Sequence, residues 1–324
     1  MSTPGERTLS DRPEADAVGG GDTMEPTAVA SRRSRDRRRD AWRAVKRFFA
    51  DPMAFVAGLV ILLLVIAAAL GPWIAPYDPA ATDAAASLQG PSGAHWLGTD
   101  QLGRDIFSRI LDGARLTLFV SVGAVSLAVL VGCTVGLVAG FVRGWSDAVL
   151  MRLMDILLAF PGLILAIVMA ALLGPGITTV IIAVGVSGTP TFARVTRAAT
   201  MRAAVEEYVL AARAVGCSRT RLLLRHITPN ILGPIVVLAT LYLAYAVLTA
   251  AALSFLGVGV KPPAAEWGAM VNEGRDLLAV GWWVSLFPGV AIVLFVLAVN
   301  ILGDRLRDVL DVASGADEAQ GAEK

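Results

Sequence analysis

Residues 200–230 read TMRAAVEEYVLAARAVGCSRTRLLLRHITPN, a polar, Arg-rich stretch between two long apolar segments. Its pattern is helical twice over. Met201, Val205, Tyr208, Ala212 and Val215 recur at alternating four- and three-residue spacing, which predicts one side of a helix. Gly216 suits a helix C-terminus, because glycine adopts positive φ without a Cβ clash. Ser218 suits the N-cap of a second helix through Leu222, Leu223 and Ile227. That helix is expected to stop near Pro229, since proline disfavours helix in the residue before it. A helix–turn–helix hairpin therefore interrupts an apolar chain.

The rest of the composition places the hairpin in a membrane protein. Hydrophobic residues make up 56 % of the chain against 17 % charged, and mean hydropathy is +0.66, beyond the range of ordinary soluble domains. Cys133, in an apolar span, and Cys217, in the hairpin, suggest neither a disulfide framework nor a metal site, and His95 and His226 form no metal-ligand spacing.

Residues 1–50 are rich in Gly, Pro, Ser and charge and read as a disordered tail. Their run Arg32, Arg33, Arg35, Arg37, Arg38 and Arg39 fits a membrane surface or a cytoplasmic retention signal. Six spans are predicted at 53–74, 116–142, 156–173, 177–192, 231–256 and 277–302, each near the ~20 residues that cross a bilayer core. Gly174, Pro175 and Gly176 form a tight turn between the third and fourth. Residues 51–310 thus form one transmembrane domain, and 311–324 a C-terminal tail. With the N-terminus inside, the inner segments hold Arg143, Arg152, Arg194, Arg197, Arg202, Arg213, Arg219, Arg221, Arg225, Arg305 and Arg307. The outer ones hold mainly Arg104, Arg109, Lys261 and Arg275. The bias predicts both termini and the hairpin in the cytoplasm. Trp73, Trp267, Trp282 and Trp283 then fall near outer span ends, as headgroup anchors do.

Enzyme signatures are missing. There is no phosphate-binding GxxxxGK[ST] loop, as none of Lys46, Lys261 and Lys324 follows a glycine, and no GxSxG elbow. The predicted spans carry no charge at mid-membrane, which disfavours a channel or secondary transporter driven by buried charge. Work against a gradient would need a partner's energy. On physical grounds the hairpin has two readings. It inserts a helix face into a groove on a soluble protein, or it lies on anionic lipid with its arginines in the headgroups.

The hairpin resembles the cytoplasmic coupling loop of permease subunits of bacterial ABC importers, the Glu-Ala-Ala motif, in its dipeptide/oligopeptide/nickel-type variant. Ala211, Ala212, Gly216 and Pro229 keep the motif's spacing, and Glu207, Tyr208, Arg213, Ser218, Arg225 and His226 match that variant. Two positions depart from it: Leu210 stands where the motif has Glu, and Thr228 where Leu is usual. Further matches are His95, Trp96, Leu97, Gly98, Thr99 and Asp100, then Gly103, Arg104, Asp105, Ser108 and Arg109. Glu266, Trp267 and Gly268, and Asn300 to Asp304, complete the set.

The resemblance implies an all-α membrane fold of the type I importer permeases, with six transmembrane helices and no catalytic, cofactor or metal site in this chain. It implies a homologous permease, two ABC ATPases that bind ATP and Mg, an extracytoplasmic substrate-binding protein and the lipid bilayer as partners, with no role for nucleic acid. The location is the bacterial cytoplasmic membrane. The substrate class is di- or oligopeptides, with nickel chelates or glutathione as alternatives. Physically, Gly98 and Gly103 set turns, and Asp105 caps a short helix through Leu111. The segment holding Gly98, Thr99, Asp100, Gly103, Arg104 and Asp105, with Glu266 and Trp267, either meets the binding protein or sister permease or is scaffold packed on the spans. The scaffold reading is the stronger.

Overall fold

A computed structural model of the chain describes residues 51–261 and 263–321; the expected tail of residues 1–50, with its arginine run, lies outside them. Asp51 opens the first helix, α1 (Pro52–Ile74), by accepting from the Met53 N–H, with Pro52 in the first turn where its missing donor costs nothing. A loop with one short 3-10 turn (Ala84–Ala86) leads to α2 (Ile106–Val142). At ~1.5 Å per residue α2 spans roughly 55 Å, well beyond a ~30 Å hydrocarbon core. Part of α2 therefore lies beyond the hydrocarbon core. Asp105 caps α2 as expected, but the short helix through Leu111 is instead the continuous start of the span.

The third predicted span is not straight. It is two helices, α3 (Trp145–Leu158) and α4 (Gly162–Leu173), bent by 88° at Ala159, Phe160 and Pro161. Pro161 has no N–H to continue the ladder and restricts Phe160. The chain then turns through Gly174 (φ +80°) into α5 (Ile177–Ala203), which runs well past the predicted end at 192. Polar residues at its inner end stay helical because their backbone bonds do not depend on apolarity.

After a break at residues 204–206 comes α6 (Glu207–Ala214), so the expected helix through 201–215 is interrupted. Helix α7 (Arg219–Phe255) follows, with a π-helical turn at Leu222–Ile227. It does not stop at Pro229, because the π-helical turn shifts the hydrogen bonding just upstream. The Thr228 N–H and hydroxyl both donate to the Leu223 carbonyl, the hydroxyl at 2.9 Å, and the helix continues through Pro229. A short helix α8 (Trp267–Gly274), a 3-10 turn (Arg275–Leu277) and α9 (Trp283–Gly321) complete the chain. The last predicted span thus starts at Trp283 rather than 277, and the backbone remains helical through most of the expected tail.

Five of these helices are long and apolar enough to cross a membrane, and six spans result if α3 and α4 together make one. The described residues contain one isolated β-bridge, between Thr99 and Asp105, and no strand. Asp51 at the start of α1 pairs with Arg305 on α9 at 2.5 Å, which brings the beginning of the first span level with the end of the last.

The most extensive helix contact is between α2 and α5. Cβ atoms added at Gly132, Gly136 and Gly140 would lie 2.6 Å from Thr189 O, 2.4 Å from Ala193 O and 2.8 Å from Arg197 O. One glycine per turn thus lets two backbones touch. Three apolar clusters stack along the bundle: Phe192, Val184, Ala124 and Leu253 in the middle, Trp267, Ile106, Met270 and Phe295 at one end, and Val209, Leu222, Ile227 and Ile231 beneath the hairpin at the other.

Candidate functional site: the hairpin and the buried cap

The hairpin is anchored by one residue of α6. Val209 is fully buried on Leu222, Ile227 and Ile231. The face predicted from periodicity is instead mostly outward: Val205, Tyr208 and Val215 are exposed, because the break before Glu207 rotates α6 relative to α5. The turn after α6 is a Schellman motif. The Gly216 N–H donates to Arg213 O and the Cys217 N–H to Ala212 O, with Gly216 at φ +81°. Ser218 has the extended N-cap backbone, but its hydroxyl makes no capping bond. Asn230 Nδ2 donates to the Tyr208 hydroxyl at 3.0 Å and to the His226 carbonyl at 2.6 Å, tying the two arms together.

Of the expected coupling residues, Glu207, Tyr208, Ala211, Arg213, Gly216, Ser218, Arg225 and Pro229 are exposed, and Ala212 and His226 partly so. Leu210 projects outward at 48 % exposure where the motif has its acid, and Val215 at 85 %. The hairpin therefore presents apolar side chains among Arg213, Arg219, Arg221 and Arg225. That is a surface for a groove with an apolar floor and acidic walls.

At the opposite end, the residues singled out around 98–105 and 266–267 lie inside the fold. Thr99, Asp100, Arg104, Asp105, Glu266 and Trp267 are all buried. Asp100 Oδ2 accepts from Arg104 Nε at 2.7 Å and from Arg109 at 2.6 Å, and both arginines also reach Glu273 on α8. His95 Nδ1 lies 2.9 Å from Asp105 Oδ1, while Asp105 Oδ2 caps α2. A Cβ on Gly103 (φ +74°) would fall on the Asp83 carbonyl, so only glycine fits. Glu266 caps α8 by accepting from the Gly268 and Ala269 N–H groups at 3.0 and 2.9 Å. Burial nevertheless pushes its carboxyl above the ordinary range. Trp267 is not a headgroup anchor: its indole is fully buried and donates to Ile110 O at 3.0 Å. Trp283 donates to Thr99 O at 3.0 Å, whereas Trp73 is exposed.

Sequence reasoning missed Glu273, whose role depends on contacts 164 and 169 residues away. It also missed the glycine stripe of α2, although the four-residue spacing was there to be read.

A bundle of five helices long and apolar enough to cross a membrane, or six spans if α3 and α4 make one, with a buried cap at one end and an exposed hairpin at the other, defines a polytopic helical membrane protein. The model for the binding-protein-dependent transport system inner membrane component matches residues 132–313, and that for the N-terminal TM domain of oligopeptide transport permease C matches residues 37–91. The chain belongs to the family of binding-protein-dependent transport system inner membrane components. It is 44 % identical to the glutathione transport system permease protein GsiD of Pectobacterium atrosepticum, over 84 % of this chain and 90 % of that one. It is 43 % identical to the di/tripeptide transport system permease protein DppC of Pseudomonas aeruginosa, over 81 % and 89 %. In fold it is similar to the inward-facing MetNI methionine ABC transporter, with a TM-score of 0.52 at 21 % identity, covering 63 % of this chain and 97 % of that one. The chain is a permease subunit of an ABC importer, and its family is a transport rather than a catalytic one.

Proposed function

We propose that this chain is one of two membrane subunits of an ATP-driven importer of di- or oligopeptides in the bacterial cytoplasmic membrane. It pairs with a homologous permease, two ATPases that hold ATP and Mg, and an extracytoplasmic binding protein. The observation that carries the coupling role is the exposed hairpin, anchored by Val209 and stiffened by the Schellman turn at Gly216, with apolar and basic side chains facing outward. An ATPase groove that takes this hairpin moves α5 and α7 with it, because α7 continues without interruption from Arg219 to Phe255. ATP-driven closure of the ATPases then alternates access at the spans. The peptide class is supported by relatives named for dipeptides, di/tripeptides and glutathione, all of them small peptides.

Cysteines placed at Ala212 or Gly216 are expected to crosslink to a co-expressed ATPase. Failure across residues 205–220 in an assembled complex would overturn the coupling role. The proposed orientation has both termini and the hairpin inside. Reporters fused after Gly93 should then read external and after Cys217 internal, and the reverse pattern excludes it.

A further inference from the structure

Coupling at the hairpin leaves a second set of polar side chains without a use. Arg194 on α5 donates to Asp155 on α3 at 2.6 Å, yet the side chains are 55 % and 45 % exposed. Asp155 lies in the last turn of α3, beside the bend, whereas Arg194 is not at a helix end. Helix α5 continues to Ala203, which puts Arg194 roughly 13 Å of helical rise inside the inner terminus. Charges are stable against the bundle interior or water, not against hydrocarbon. Within this chain the pair is not interior: a cleft of about 380 Å³ lined by Met151, Asp155, Arg194 and Arg197 opens over it.

From Arg194 the same face of α5 climbs through Thr191 to Ser187, at helical spacing. The Ser187 hydroxyl lies 3.4 Å from that of Tyr242, whose ring is 5.2 Å from the ring of Tyr245. Tyr245 remains 40 % exposed in an apolar helix. Its hydroxyl lies 2.6 Å from where a Cβ on Gly162 would sit, and Gly162 begins α4 just past the 88° bend. At the bend Ala159, Phe160 and Pro161 are exposed. Non-helical backbone at membrane depth is tolerated where protein or water covers it, not lipid. An exposed ion pair, an exposed tyrosine and an exposed helix break thus converge on one face.

We propose that this face, from Tyr245 and Ser187 to the pair of Arg194 and Asp155, lines the water-filled translocation pathway. The ion pair is its charged inner mouth, exchanging partners with the two charged ends of a zwitterionic, peptide-like substrate. The substrate class rests on the peptide-importer reading above, whereas the water-facing placement does not. A substrate carboxylate takes the forked donors of Arg194 while its ammonium takes Asp155, so the exchange leaves no charge unpaired. Arg197 stays out of it, held by both oxygens of Asp147 at 2.5 and 2.6 Å.

The test uses the complete complex in proteoliposomes, with Cys133→Ser and Cys217→Ser and one cysteine at a time at Ser187, Arg194 or Tyr245. An impermeant methanethiosulfonate is present on both sides. Leu62→Cys and Leu130→Cys, at exposed positions on α1 and α2, give the lipid rate. Pathway thiols should react on the order of tenfold faster or more, because each pKa unit added by lipid removes about nine-tenths of the reactive thiolate. Rates equal to the leucine positions, or capture of these thiols by the sister permease, overturn the placement. With alanylalanine as the transported probe, Arg194→Asp and Asp155→Arg should each lose most uptake and the double exchange recover it. A double exchange as inactive as the single ones overturns the charged mouth. If the unaltered complex imports no alanylalanine, the peptide class falls, while the thiol rates still decide the placement.

Discussion

Arg109 and Glu273 meet across the buried cap opposite the hairpin through two hydrogen bonds, 2.7 Å from Nη1 and 3.2 Å from Nη2. The Arg109 side chain is 1 % exposed and also holds Asp100. It thereby joins the loop before α2, the start of α2 and helix α8 into one body. Without Arg109, Asp100 and Glu273 have only Arg104 to share, and one buried negative charge is left uncompensated, a loss of up to about 3–5 kcal/mol. Arg109→Ala should therefore lower the thermal stability of the detergent-solubilised complex severely. Adding Glu273→Gln should recover part of the loss, and a double variant as unstable as the single would argue against uncompensated charge as the cause.

The contact of α2 with α5 tolerates no side chain at Gly136. A Cβ there would lie 2.4 Å from the Ala193 carbonyl, a backbone atom that cannot step aside. Gly136→Leu should force the helices apart at a cost of about 1–3 kcal/mol or more. It should be read as reduced assembly with the sister permease and a lower unfolding temperature. Gly58→Leu on α1, with nothing within 4 Å, should leave both unchanged.

Gly216 is a different case, because it has open space around it and a φ of +81°. A β-branched residue meets strain rather than a clash there, about 1–2 kcal/mol for an L-residue in the left-handed region. Gly216→Val should let the complex insert and hydrolyse ATP while uptake falls, and unchanged uptake would refute a rigid turn. Gly216→Asn, which tolerates that conformation, should stay near the wild-type rate.

The Glu266 carboxyl is held above its ordinary 4.5 because burial penalises its charged form more than the Gly268 and Ala269 N–H groups favour it. The folded state then binds this proton more tightly than the unfolded one. Stability contributed at this site is therefore lost as pH rises from the ordinary carboxyl value through the raised one. Thermal unfolding of the wild type should show that decline, and Glu266→Gln should flatten it. Parallel curves would remove this carboxyl as the source.

Much of the bundle was legible in the chain. Apolar runs fall on the five described helices that are long and apolar enough to cross a membrane, while the run at 156–173 falls on a bent pair. Residues 200–230 announced the hairpin by polarity, and Gly216 its turn by stereochemistry. Helix ends were less legible. The inner end of α5 and the start of α7 are polar, and their helicity comes from backbone bonds and from packing on Val209, Leu222 and Ile227, which hydropathy does not register. Pro161 and Pro229 show the limit sharply. One ends a helix and turns the chain by 88°, while the other is passed through by a π-helical turn. Local rules allow both outcomes, and neighbouring contacts choose.

Charge was hardest to place. Sequence alone determined that this chain is a helical membrane protein with an interrupting hairpin, because hydropathy and glycine or proline stereochemistry are properties of short segments. Only the tertiary structure decided that Asp100, Arg104, Arg109 and Glu273 bury one another in the cap, and that Arg194 on α5 and Asp155 on α3 stand paired and exposed. A charge is stable or costly according to what faces it, and what faces it is set by residues far away along the chain.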